Sequence, residues 1–181
     1  MQAVRYSTGA IVLHWLIAIA VIVNWRIAEA AEHLPDVERG QLMAHHMALG
    51  MVILFATLLR LAWRLLHKPP PYASSLKTWE RHLAKTVHVI FYVLLIGLPL
   101  GGWLAISHYG VGVNLWGVVT VPALPVSVDM QMGESIFGMH ANAGKAMLAL
   151  IALHVVGALK HHFFDKDGNI FRMLPWGTPK C

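Results

Sequence analysis

Four apolar stretches, at about residues 9–26, 42–63, 87–106 and 136–160, set the first limit on what this chain can fold into. Each is close to the roughly 20 residues that an α-helix needs to cross a hydrocarbon layer about 30 Å thick. Within such a layer every backbone N–H and C=O must be satisfied inside its own segment, so runs of this length are read as helices. The remaining composition agrees: 57% of residues are hydrophobic and 13% charged, against the roughly 25% charged typical of soluble domains. Mean hydropathy is +0.58. An ordinary water-soluble enzyme is excluded. The expected fold is all-α, an integral membrane four-helix bundle forming one domain over residues 1–181, with spans at about 9–27, 40–66, 79–106 and 135–164.

The net charge of +5 and isoelectric point near 9.6 invite a nucleic-acid partner, but the basic residues flank apolar runs and build no nucleic-acid-binding motif. Their distribution gives topology instead. Alternating the loops places Arg5, then Arg60, Arg64, Lys68, Lys77, Arg81 and Lys85, then Lys160, Lys166, Arg172 and Lys180 on one side, and Arg26 and Arg39 on the other. Lys and Arg are retained on the cytoplasmic face, so both termini and the middle connection are expected there. Ala28-Glu29-Ala30 resembles a signal-peptide cleavage site, but the preceding apolar run is long for a leader and carries His14, so it is read as a span. The single cysteine, Cys181, excludes a disulfide framework and a C-x-x-C-H site for covalent haem.

Helix one is expected to start at Ser7-Thr8, either of which can cap it, and an acidic external loop follows it. Helix two stops before Pro69-Pro70-Pro71. Helix three carries Pro99 and Gly101-Gly102, which mark a kink or a close backbone approach to something bulky. Residues 108–127 are uncharged, but their prolines, glycines and valines argue for an apolar external loop over a fifth span. Trp15, Trp25, Trp63, Trp79, Trp103 and Trp176 lie near span ends, where interfacial tryptophans belong.

The chain holds 12 histidines, and His14, His46, His88, His140 and His154 fall inside the spans, where an ionisable side chain is costly and functional by default. On helix four His140 and His154 are about 40° apart in azimuth and roughly 21 Å apart along the axis. Tracing the alternating helices puts His14 level with His154 near the cytoplasmic side, and His46 level with His140 near the external side. Two imidazole pairs at two depths suit two axially bis-histidine haems held between helices. His88 shares the depth of His14, and geometry alone lets it compete for the inner iron. Gly50 and Gly144 each follow a histidine by one turn, on its face, where a flat macrocycle needs clearance. Met147, between His140 and His154, is read as packing.

His14-Trp15, His46 with Gly50 and Arg60, Leu98-Pro99, Gly101-Gly102, and His140 with His154 and His161-His162 together resemble the bacterial cytochrome b561 family over nearly the whole chain. The resemblance implies a four-helix membrane bundle with two non-covalent b haems, His14 and His154 ligating the inner iron and His46 and His140 the outer one. That family includes the superoxide:ubiquinone oxidoreductase, and related bundles serve as cytochrome b subunits of hydrogenases and formate dehydrogenases. Arg60 is placed to neutralise an inner haem propionate. Lys145 either does the same near the outer haem or reaches the surface to pair with Glu134. His88, Arg60 and His161 form a candidate quinone site at the cytoplasmic end, where a quinone carbonyl accepts hydrogen bonds.

The leading functional expectation is therefore an electron conduit from an external donor, superoxide or a periplasmic electron-donor protein, through two haems to ubiquinone. A haem b anchor subunit for a periplasmic dehydrogenase is the alternative. A metal-ion transporter using the histidine ladder is the more remote one, weakened by the lack of Asp or Glu in the embedded stretches. An anionic donor sits uneasily with the external charges, where Glu29, Glu32, Asp36, Glu38, Asp129 and Glu134 face Arg26 and Arg39.

Overall fold

The structure, a computed structural model, describes residues 5–72 and 76–177. Lys180 and Cys181, named above for charge and for cysteine chemistry, lie outside them. The chain forms α1 (Thr8–Glu32), α2 (Asp36–Leu66), α3 (Thr78–Ser107), a small hairpin of β1 (Val113–Leu115) and β2 (Val119–Val121), α4 (Met130–Phe163) and a 3₁₀ turn at Asn169–Arg172. All four α-helices are long and apolar enough to cross a membrane. Large apolar side chains such as Val12, Leu16, Ile19, Val93 and Leu153 stand exposed along them. Those faces suit lipid, since water would penalise each one left uncovered.

The helix ends follow local chemistry. Ser7 occupies the N-cap position of α1 but makes no capping bond; its hydroxyl instead accepts from the Trp63 indole N–H at 3.0 Å. The acidic loop expected after Ile27 is largely absorbed into helices, because α1 runs to Glu32 and α2 begins at Asp36. Asp36 and Glu38 sit in the first turn of α2, where carboxylates are favoured by the helix dipole. The α2 helix stops at Leu66, ahead of the three prolines. The start of α3 is tied by Lys77 N–H donating to Glu80 at 2.9 Å. Asp129 caps α4 by accepting from Met132 N–H at 3.0 Å, which starts that helix at Met130, ahead of the expected Ser135.

Residues 108–127 leave and return on one side of the bundle. Val113 pairs with Val121 and Leu115 with Val119, antiparallel. Trp116 and Gly117 take positive φ in the connecting loop, and Gly117 N–H donates to the Asn114 side chain at 2.6 Å. Val113 is buried with Met51 and Leu54, so the hairpin seats on α2. Trp103 fixes its far strand by donating to Pro122 O at 3.0 Å. The stretch is thus a loop seated on the bundle as a lid, and makes no fifth span.

The tightest backbone packing is α1 against α2 and α3 against α4, and the two antiparallel pairs meet through α2 and α3. Gly9 shows how close the first pairing is: a Cβ there would stand 2.5 Å from Trp63 Cζ2. With four spans the ends of the chain fall on one side, and Tyr6 N–H donates to Arg172 O at 3.3 Å. Trp15 reinforces this by donating to Met173 O at 2.7 Å.

Candidate functional site

His14, His46, His88, His140 and His154 gather at two levels between the helix pairs, all of them part-buried. At the lid end His46 on α2 and His140 on α4 face each other with ring centroids 5.9 Å apart and planes at 83°. At the other end His14 on α1 and His154 on α4 stand 6.4 Å apart at 72°. His88 on α3 is 6.0 Å from the same His154. Two metal–nitrogen bonds of about 2 Å, plus about 1 Å from each nitrogen to its ring centre, put two axial imidazoles roughly 6 Å apart. Both levels have that spacing.

Hydrogen bonds distinguish the rings. His46 Nδ1 lies 3.1 Å from Asn24 O and His140 Nδ1 lies 3.0 Å from Leu98 O. A carbonyl only accepts, so each Nδ1 carries the proton and each Nε2 keeps its lone pair, the tautomer a metal ligand requires. His88 has the same arrangement through Ala84 O at 2.6 Å. At His14 the sense is reversed, because Arg60 Nη1 donates to Nδ1 at 2.9 Å. A guanidinium only donates, so in this arrangement the proton of neutral His14 sits on Nε2. For His14 to ligate iron, Arg60 has to let go of it.

The clearance beside the rings fits a flat macrocycle. A Cβ on Gly144 would meet nothing within 4 Å, and one on Gly50 only the Asn24 amide nitrogen at 3.8 Å. Asn24 Oδ1 and Thr57 Oγ1 are buried without a hydrogen-bond partner among the described residues, so the interior offers polar atoms that the chain leaves unused. The donor set is imidazole only, with no thiolate near it among the described residues, which suits a b-type iron. Gly102 explains the glycine pair of helix three. Its Cβ would stand 3.3 Å from His140 Cε1, so a small residue lets α3 press its backbone against the His140 ring.

The candidate quinone residues do not form one cluster. Arg60 reaches His14 and His88 faces His154, whereas His161 Nδ1 lies 2.7 Å from Asp165 Oδ2 and 3.2 Å from Asp167 Oδ2. Lys160 Nζ bridges Glu80 and Asp165, 2.7 Å from each. The Lys160 ammonium beside Asp165 holds its carboxyl below the usual carboxylate range. Sequence reading missed this network because Glu80 meets Lys160 across 80 positions, a pairing that periodicity does not encode. Lys145 is exposed and makes no salt bridge with Glu134 among the described residues. At the lid end Arg26 pairs with Glu29 and Arg39 with Asp36. His45, adjacent to His46, accepts from the indole N–H of Trp116 in the lid at 2.9 Å.

A four-helix membrane bundle with facing imidazoles at two depths is the architecture of a membrane haem cytochrome, an oxidoreductase-type electron carrier. Residues 5–176 match the family model for prokaryotic cytochrome b561, and the chain belongs to that family. It is 27% identical over 172 residues to cytochrome b561 homolog 2 of Escherichia coli K12, covering 94% of this chain and 91% of that one. It is 26% identical over 171 residues to the probable superoxide oxidase CybB of Yersinia pestis, covering 94% and 96%. It is likewise 26% identical over 179 residues to cytochrome b562 of Cereibacter sphaeroides, covering 96% and 97%. The chain is therefore a multi-pass haem b protein of electron transport, and the metal-ion transporter reading falls with that assignment.

Gly102 gives a direct check on the site. Gly102→Leu is expected to push His140 off its position and, if His140 holds haem, to lower the haem content, with helical circular dichroism unchanged. Gly102→Ala, whose single methyl needs a shift of a few tenths of an ångström, should lose far less. A full haem spectrum in Gly102→Leu would show that the ring does not need this approach.

Proposed function

We propose that the chain accepts single electrons on the lid side, passes them through two b haems, and reduces ubiquinone at the end where the termini lie, in the bacterial inner membrane. Bound haem iron supplies a reversible one-electron couple at each level. His46 with His140, and His14 with His154, would hold the two haems. The carrying observation is the spacing of 5.9 Å and 6.4 Å between imidazoles at two depths. The basic flanks of α2, α3 and α4 support placing the termini in the cytoplasm.

Superoxide is the proposed donor, supported by the name of the Yersinia relative. Two superoxide ions give up one electron each and leave as dioxygen; ubiquinone takes both electrons and two protons to become the quinol. His88, Arg60 and His161 are proposed to serve the quinone end. His161 is well placed to hand on protons, since exposed Asp165 and buried Asp167 flank its Nδ1 and connect it to the aqueous side. The anchor-subunit reading keeps one observation in its favour, the exposed Trp116, Val118 and Val119 on the lid, which offer a docking dehydrogenase an apolar tip.

Stopped-flow reduction by generated superoxide, followed by oxidation with ubiquinone, tests the assignment. With superoxide as donor the haems reduce rapidly and the rate falls on Lys145→Glu; it falls as salt is raised only where a local basic mouth draws the anion in. His161→Ala should keep both haem spectra while slowing oxidation of the reduced haems by quinone about tenfold or more. Haems that stay oxidised, or a rate that climbs with salt, would point to a neutral reductant or a docked protein. An unchanged quinone rate in both His161→Ala and His88→Ala would move the quinone site elsewhere.

A further inference from the structure

A cleft of about 30 Å³ lies where α2 ends, on the side of the termini, and its walls include Ser7, Arg60, Trp63, Arg64, Lys68 and Tyr92. Among the described residues no Asp or Glu lines it, and none of its three cations enters a salt bridge. Like charges converging without a counter-ion repel one another, so an anion between Arg64 and Lys68 would be favoured. Tyr92 supplies a second, independent sign. Its hydroxyl is buried and has no hydrogen-bond partner, although a buried phenol normally finds one. Arg64 lies over the same ring, with Cζ 6.0 Å from the centroid.

The walls are held in place. Trp63 donates to Ser7 and stacks on His67 with centroids 4.1 Å apart. Arg64, His67 and Lys68 are exposed, so the cleft opens outward at the level of a helix end, where tryptophan and tyrosine mark the headgroup layer. Exposed Leu59, Leu65 and Leu66 on α2, with Val89 and Val93 on α3, offer apolar surface beside it. Basic pockets between membrane helices, with apolar surface alongside, match the two halves of an anionic lipid.

We propose that this cleft is a specific seat for the phosphate headgroup of an anionic phospholipid, gripped by Arg64 and Lys68 at its mouth and by the Tyr92 hydroxyl within. Arg64, Lys68 and Tyr92, which make the seat, have no part in the electron transfer proposed above; Arg60 lines the inner wall and belongs to the His14 level. The role of the seat is to lock α1, α2 and α3 together at the membrane surface.

Native mass spectrometry of the purified holoprotein, stripped of bulk lipid and then offered phosphatidylglycerol, phosphatidylcholine or inorganic phosphate in separate arms, tests it. The wild type should retain one phosphatidylglycerol in preference to phosphatidylcholine. Retention should fall about thirtyfold in R64Q/K68Q, from two lost cations, and severalfold in Y92F, while R64K/K68R keeps it. Haem content should stay unchanged in all of them. Equal retention of the two lipids, or undiminished retention in R64Q/K68Q, would overturn the proposal. So would retention of inorganic phosphate without lipid, which makes this a free-anion site. Loss of the inner haem in R64Q/K68Q with lipid retention unchanged would give these cations to a haem propionate and overturn it as well.

Discussion

Replacing either His46 or His140 with alanine is expected to lower haem from about two per chain to about one, with the remaining haem still in bis-imidazole form. The expectation rests on the isolation of this pair. His46 and His140 face each other at 5.9 Å, each is locked by Nδ1 onto a backbone carbonyl, and neighbouring His45 is engaged by the Trp116 indole. No substitute ligand is therefore at hand. Pyridine haemochrome analysis gives the haem count and low-temperature electron paramagnetic resonance gives the ligation. Retention of both bis-imidazole signals in His140→Ala would dismiss the outer pair.

At the inner level the expected result is sharper because a rival ligand is present. His154 faces both His14 and His88, so His154→Ala should abolish the inner haem whichever partner is used. His14→Ala should abolish it too, whereas His88→Ala should keep both irons bis-imidazole. This choice asks something of Arg60, which must release His14 Nδ1 and turn to a haem propionate, exchanging a neutral acceptor for a charged one. Arg60→Gln should accordingly weaken inner-haem retention more than outer. If His88→Ala loses the inner haem and His14→Ala keeps it, the ligand is on α3 and Arg60 stays where it is.

Depth and azimuth were legible in the sequence because an α-helix fixes both. The spacing of His140 and His154, carried through alternating spans, places His14 and His46 at their levels, and the structure puts those rings opposite one another. The three prolines after His67 and the broken, valine-rich 108–127 stretch were equally readable, since both are local backbone effects. The α4 start was missed because one side chain, Asp129, decides it. What periodicity cannot give is which long side chain reaches across to which helix. Arg60 on His14, Lys160 on Glu80 and Trp116 on His45 each depend on tertiary placement and on a choice among rotamers. The Gly101-Gly102 pair fell between: a close approach was legible, but not that the approaching group is the His140 ring.

The division of the bundle into α1–α2 and α3–α4 bears on how the protein is assembled. On the proposed ligation each iron joins one histidine from the first hairpin to one from the second, so the two cofactors act as rivets driven through both halves. Each hairpin has short-range contacts enough to enter the bilayer as a unit. Final closure then waits on haem supply, and a cell short of haem would accumulate inserted but unfastened chains, open along α1 and α4 and exposed to membrane proteolysis.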